Sequence, residues 1–190
     1  MIEQLPKYPF AYGATDPRVL TGELAVTIQS QITAAAKLSK HFGASARIET
    51  INPGDSVYFA LVTPKARVNA ITIDGKYVDG TFDIFRGGTF TGGTPIDIYN
   101  SNDENPIASQ SVFIGGITPV TLGVKSSPTA YLIGELGQGN KVNLAHADAL
   151  GNKILAPDTV YIGRITNTHA TEVMGPISLM FSFIEGNGYG

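Results

Sequence analysis

From Ala46 onward, apolar and polar residues alternate in short runs closed by turn residues. Alternation with a period of two places successive side chains on opposite faces of a strand. Arg47 to Ile51 alternates, with Ile48 between Arg47 and Glu49. Ser56 to Val62 is a mostly apolar run that suits a buried strand, and Pro64 closes it. Val68 to Asp74 puts Ile71 and Ile73 on one face, and Thr81 to Phe85 alternates through Phe82 and Ile84. Ile96 and Ile98 flank Asp97, and Val112 and Ile114 flank Phe113. Ala130 to Leu136, Val142 to Leu144 and Val160 to Thr166 follow. Ile177 to Ile184 is the clearest run: Ile177, Leu179, Phe181 and Phe183 form one face, Ser178, Met180 and Ser182 the other.

Turn residues separate these runs. In Asn52-Pro53-Gly54-Asp55, proline presets its φ and glycine accepts a positive one. Gly87-Gly88, Gly92-Gly93, Gly115-Gly116, Ser126-Ser127-Pro128, Asp148 to Asn152 and Gly175-Pro176 mark the other breaks. About nine strands at this spacing, with no room for crossover helices, predict an all-β fold. The expected architecture is an antiparallel β-sandwich or jelly-roll-like domain with an extended N-terminal arm. No repeat of fixed period is present.

The expected division is an arm and linking segment over residues 1–45 and the sandwich domain over 46–190. Pro6, Pro9, Gly13, Pro17 and Gly22 make a helix improbable in residues 1–22. That arm nevertheless carries Tyr8, Phe10, Tyr12, Val19 and Leu20. A solvated tail seldom holds so many large apolar groups, so the arm either folds back on its own domain or docks on a neighbouring subunit. Tyr8, Phe10, Tyr12, Arg18 and Leu20 are the candidate interface residues. In residues 23–43, Val26, Ile28 and Ile32 alternate as a strand would, whereas Ala34 to Lys40 are good helix formers that Gly43 would cap. A strand followed by a short helix or irregular segment is expected there.

Composition narrows the class. The chain is 43% hydrophobic but only 15% charged, against a usual charged share of about 25%. A disordered chain shows the reverse, so a packed core is expected. The low charge also fits a surface covered by partners. The net charge of −3, without any run of Lys or Arg, gives no footprint for nucleic acid. The absence of cysteine excludes disulfides and thiolate metal sites. Met1 to Lys7 lacks a signal-peptide pattern, and no stretch approaches the roughly 20 apolar residues of a membrane span. Synthesis in a cytoplasm as a soluble protein is expected.

Candidate chemistry is sparse. His41, His146 and His169 do not pair at metal-ligand spacing, and His146-Ala147-Asp148 would need a further ligand. Asn100 to Asn105 (NSNDEN) is dense in oxygen atoms, which suits calcium, but it does not match an EF-hand loop. The favoured reading is a loop whose Asn and Asp side chains bond their own backbone. Gly134 to Gly139 lacks the dinucleotide-binding order, and no Gly-x-Ser-x-Gly elbow is present. No catalytic residue, metal ligand or cofactor is assigned, and the protein is not expected to be an enzyme.

Several segments carry a resemblance in a fixed order. Asn52-Pro53-Gly54-Asp55-Ser56 leads into the strand ending at Thr63-Pro64. Gly80-Thr81-Phe82-Asp83-Ile84-Phe85, Gly93-Thr94-Pro95-Ile96 and Tyr99-Asn100-Ser101-Asn102 follow. Later come Ile154-Leu155-Ala156-Pro157-Asp158-Thr159-Val160-Tyr161-Ile162, Arg164-Ile165-Thr166-Asn167 and the closing Phe183-Ile184-Glu185. This order, over roughly residues 46 to 185, resembles small structural proteins of tailed bacteriophage virions. Those proteins end on an aromatic pair and Glu, where this chain has Phe183-Ile184-Glu185. Asp16 to Gly22 also resembles their N-terminal part. The resemblance implies a capsid decoration or cement protein on the virion surface, bound to the major capsid protein as a homo-oligomer, with a trimer favoured. Without a basic run or a membrane-length apolar stretch, no nucleic-acid or membrane partner is expected.

The residues also have a reading of their own. Pro157 marks a strand entry, Asn167 starts a turn, and Arg164 pairs with a local carboxylate or bridges to a neighbouring subunit. The rival functions are a tail or collar component, a carbohydrate-binding jelly roll and a cupin-like enzyme. Carbohydrate sites often use exposed Trp and Tyr, and this chain has no Trp and eight Tyr.

Overall fold

The computed structural model describes the backbone of residues 18–20, 23–25, 31–63, 66–75, 79–133, 140–143 and 154–186, and the side chains of 33–63, 79–133 and 154–186. In chain order, the described elements begin with β1 (Arg18–Leu20), β2 (Glu23–Ala25) and one short helix, α1 (Gln31–Lys37). Four longer strands follow: β3 (His41–Ile48), β4 (Ser56–Thr63), β5 (Ala66–Gly75) and β6 (Gly80–Arg86). Five short ones come next: β7 (Thr89–Thr91), β8 (Thr94–Ile96), β9 (Ile98–Asn100), β10 (Val112–Gly115) and β11 (Thr118–Thr121). The chain closes through β12 (Val124–Lys125), β13 (Ala130–Leu132), β14 (Asn140–Asn143), β15 (Thr159–Asn167) and β16 (Ile177–Glu185).

The protein is an all-β antiparallel sandwich. One sheet has the order β14-β5-β16-β3-β9. The other runs β12-β6-β15-β4-β10-β8, with β13 also paired to β6. Apart from the β7–β11 segment, the strands from β3 onward alternate between sheets: β3, β5, β14 and β16 in one, β4, β6, β12 with β13, and β15 in the other. β14-β5-β16-β3 facing β12/β13-β6-β15-β4 is the order produced by two Greek keys, which is that of a jelly roll. Of the strands between β6 and β12, β8, β9 and β10 extend the two sheets at one edge, while β7 and β11 pair with each other in a separate two-stranded sheet. β10 pairs β4 and β8 pairs β10, while β9 pairs β3. Ile96 and Ile98, which look like one segment in sequence, therefore belong to different sheets, and Asp97 is the crossing point.

Alternation explains the core. Ile177, Leu179, Phe181 and Phe183 of β16 are buried, while Ser178 and Met180 between them are exposed. Phe181 meets the opposite sheet at Phe59 and Phe113, with ring centroids 5.5 and 5.2 Å apart. Phe59 stacks on Phe82 at 6.0 Å. Each such buried side chain contributes about 1.5–3 kcal/mol by leaving water. The Phe59 ring occupies the space over Gly163, where an added Cβ would lie 2.0 Å from Cζ. A second, smaller core of Ala60, Ile117 and Ile162 lies on the other face of the larger sheet. Phe90 of β7 and Leu122, just past β11, pack against it.

The Asn52–Asp55 turn forms as its sequence requires. Asp55 N–H donates to Asn52 O at 3.0 Å, and Gly54 takes φ +79°. Two details differ from the sequence reading. Gly43 lies inside β3 and does not cap α1; the helix ends at Lys37 and Ser39 makes the reversal at φ +56°. The Ser39 hydroxyl donates to Asn105 O at 2.6 Å and so holds that left-handed conformation. Regular pairing accordingly begins at His41. Ile32 falls in α1 and not in a strand, β2 is the strand described in this region, and Val26 and Ile28 lie outside the described residues.

Candidate functional site

The candidate arm residues divide in two. Arg18 and Leu20 are backbone partners of Ala25 and Glu23 in the β1–β2 pair. Tyr8, Phe10 and Tyr12 lie outside the described residues, as do His146 and residues 134–139.

The oxygen-rich loop bonds itself. Asn100 Oδ1 accepts from Asn102 N–H at 2.8 Å, and Asn102 Oδ1 accepts from the N–H groups of Glu104 and Asn105 at 3.1 and 3.2 Å. Asn102 Nδ2 donates to Ser39 Oγ at 2.9 Å, and Asn100 Nδ2 donates to Ser39 O at 2.9 Å. The loop thereby pins the end of α1 to β9. Among the described residues no three His, Cys, Asp or Glu side chains are grouped to hold a metal ion.

Three polar residues of the resemblance are used in the scaffold. Asn167, fully buried, donates from Nδ2 to Ile51 O and Glu172 O at 2.9 and 2.7 Å, and accepts from His169 N–H at 3.0 Å. It starts the turn expected of it. Glu185 accepts from Ser109 Oγ at 2.5 Å and from the N–H groups of Gln110 and Ser111 at 3.0 and 2.9 Å, anchoring that loop to the end of β16. Arg164 pairs with a carboxylate, Asp83, at 2.7 Å.

Asp83 was not singled out by the sequence, although a lone acid within the apolar run TFDIF was a usable signal. It is 2% exposed and also receives Lys125 Nζ at 2.7 Å and Thr129 Oγ1 at 2.8 Å. Burial alone would raise its pKa. The hydrogen bonds from Arg164, Lys125 and Thr129, with the Lys125 charge, outweigh that and hold the carboxyl below its ordinary value.

The outer face of the smaller sheet carries a shallow groove of about 460 Å³. Gly43 forms its floor, paired to Tyr99 on β9 and Ser182 on β16. Ser45, one row along, faces Met180. Tyr99 is 68% exposed and Met180 40%. His41 bonds two of the lining serines, its Nδ1 2.6 Å from Ser101 Oγ and its Nε2 2.8 Å from Ser182 Oγ. Burial lowers the His41 pKa, so the neutral ring bridges the two hydroxyls, one nitrogen donating and the other accepting. At the far edge of the larger sheet, Val124, Tyr131 and Ile133 are exposed. Both features suit contact with apolar groups of another protein.

No family model, no curated protein and no solved structure matches this chain.

Proposed function

We propose that this chain is a structural component of a tailed-bacteriophage virion, a decoration or cement protein seated on the lattice of the major capsid protein. The observation that carries this reading is the division of labour in the described residues. Asp83, Asn167 and Glu185, the buried polar groups of the resemblance, brace strands and loops. Large apolar side chains, among them Tyr99, Val124, Tyr131 and Ile133, stand exposed at the sheet rims. A domain built this way works by contact. Jelly rolls recur in viral capsid proteins, and the fold alone leaves function open.

The mechanism is mechanical. A rigid sandwich sits over a junction of capsid subunits, and the N-terminal arm spreads onto the lattice or onto a like subunit. Apolar burial contributes about 25 cal/mol per Å², and many copies on one shell add avidity. The assembled form is a homo-oligomer, with a trimer favoured by analogy to decoration proteins.

Antibody labelling of native particles tests the reading. Label over the capsid surface is expected, together with loss of shell strength when the protein is stripped. Label confined to the tail or collar would select that rival, and particles without the protein would overturn a virion role altogether.

A further inference from the structure

We infer that His169 latches the loop between β15 and β16: its neutral ring holds residues 168–173 closed, and protonation of the ring releases them. The latch belongs to the domain itself and operates whether or not the chain sits on a capsid.

The loop is tethered at both ends by groups that do not titrate. Asn167 at its start is fully buried, and its side chain bonds Ile51 O, Glu172 O and His169 N–H. Met174 at its end is also fully buried and exchanges backbone bonds with Ile51, at 3.0 Å from its own N–H and 2.8 Å to its O. The N–H groups of Thr168 and His169 reach Asp79 O at 2.9 and 3.1 Å. Between these tethers, the N–H groups of Thr171 and Glu172 donate to His169 Nδ1 at 3.3 and 2.9 Å.

A backbone N–H can only donate, so Nδ1 must accept, and the ring is the tautomer with its hydrogen on Nε2. Histidine is the side chain whose charge ordinarily changes between about pH 5 and 8. A second proton goes to Nδ1 and turns the acceptor into a donor. Thr171 and Glu172 then present N–H groups to another N–H, and both bonds are lost in one step. Among the described residues, the charged side chains on the segments around the loop are Glu172 itself, Asp79 before β6, Asp55 of the Asn52–Asp55 turn, and the Arg47–Glu49 pair, whose Glu49 backbone lies beside Gly175. None of them forms an ion pair with the ring, so no salt bridge stands ready to replace the lost bonds. The latch is closed at neutral pH and opens as pH falls. Because Asn167 and Met174 keep their bonds, the opening is confined to the residues between them.

Amide hydrogen exchange of the full chain, resolved by NMR and expressed as protection relative to an unfolded peptide at the same pH, tests the latch. Protection at Thr171 and Glu172 should fall about tenfold or more between about pH 8 and 5, in step with titration of the His169 ring, as the loss of two ordinary hydrogen bonds requires. Ile51 and Met174 should keep theirs. The His169→Asn variant presents an amide oxygen that does not titrate. Asn102 already accepts from the N–H groups two and three positions on, as His169 does. His169→Asn should therefore stay protected at both ends of the pH range, and His169→Ala should be unprotected at both. Protection at Thr171 and Glu172 that holds while the His169 ring titrates would overturn the latch. So would a His169→Asn variant that loses protection with pH as the wild type does. Should His169→Ala fail to fold, the wild type and His169→Asn still decide the question.

Discussion

Arg164 and Asp83 stand opposite each other on β15 and β6, Nη2 to Oδ2 at 2.7 Å, although 81 positions separate them in the chain. The guanidinium also lies over the Phe85 ring, 5.1 Å from its centroid. With Lys125 of β12 and Thr129 just before β13 on the same carboxylate, a single buried acid ties together four pieces of the larger sheet. Lys125 Nζ also donates to Thr129 Oγ1.

Asp83→Ala should therefore be among the most destabilising polar substitutions. It leaves Arg164 and Lys125 facing each other without an anion. Because both cations are partly exposed, solvent screens them, and a cost of about 2–3 kcal/mol is expected in place of the larger value for a fully buried pair. Urea denaturation measures it. A change below about 0.5 kcal/mol, the range of an ordinary surface substitution, would contradict the cluster's role.

The same carboxylate sets a pH dependence. Its folded pKa is depressed relative to the unfolded chain. Its contribution is thus fully present above the unfolded value of about 3.9 and is lost as pH falls through the lower folded value. Wild-type stability should drop across that acidic window more steeply than that of Asp83→Asn. Equal slopes from parallel denaturation series between neutral and acidic pH would contradict the assignment.

The fold was legible where one force dominates. Ile177, Leu179, Phe181 and Phe183 are buried as a set because a strand with one buried face must alternate. The Asn52–Asp55 turn was legible because Pro and Gly leave the backbone few choices. The switch at Asp97 was hidden, since alternation around it is the same whether one sheet or two receive the flanking residues. The start of β3 was hidden as well: Ala34 to Lys40 favours helix, and only the Ser39–Asn105 bond shows where the chain reverses. The acid cluster and the groove depend on which strands become neighbours, and local sequence does not record that.

Gly163→Ala should destabilise through overpacking. The added methyl would meet the Phe59 ring, which is itself wedged among Phe82, Phe113 and Phe181. A loss of about 1–3 kcal/mol is expected from such a clash in a close-packed core. Pairing it with Phe59→Leu should recover part of the loss, because the smaller side chain vacates the contact. Thermal melting of the single and double variants checks this, and an additive double variant would contradict direct contact between the two positions.

Removing residues 1–22 should leave the domain folded but impair assembly. The sandwich core is built from residues after His41. The truncated chain should melt cooperatively within about 3 °C of the full chain, a shift of about 1 kcal/mol or less. It should nevertheless bind particles poorly. Unchanged binding would remove any assembly role from the arm, and failure to fold would assign the arm to the domain's own core.

The central claim is that this jelly roll works by packing on a viral shell, and imaging native particles by electron cryomicroscopy tests it most directly. The account predicts sandwich-shaped density on the outer capsid surface at subunit junctions. A capsid surface without such density, in particles from which the protein is absent, would contradict it.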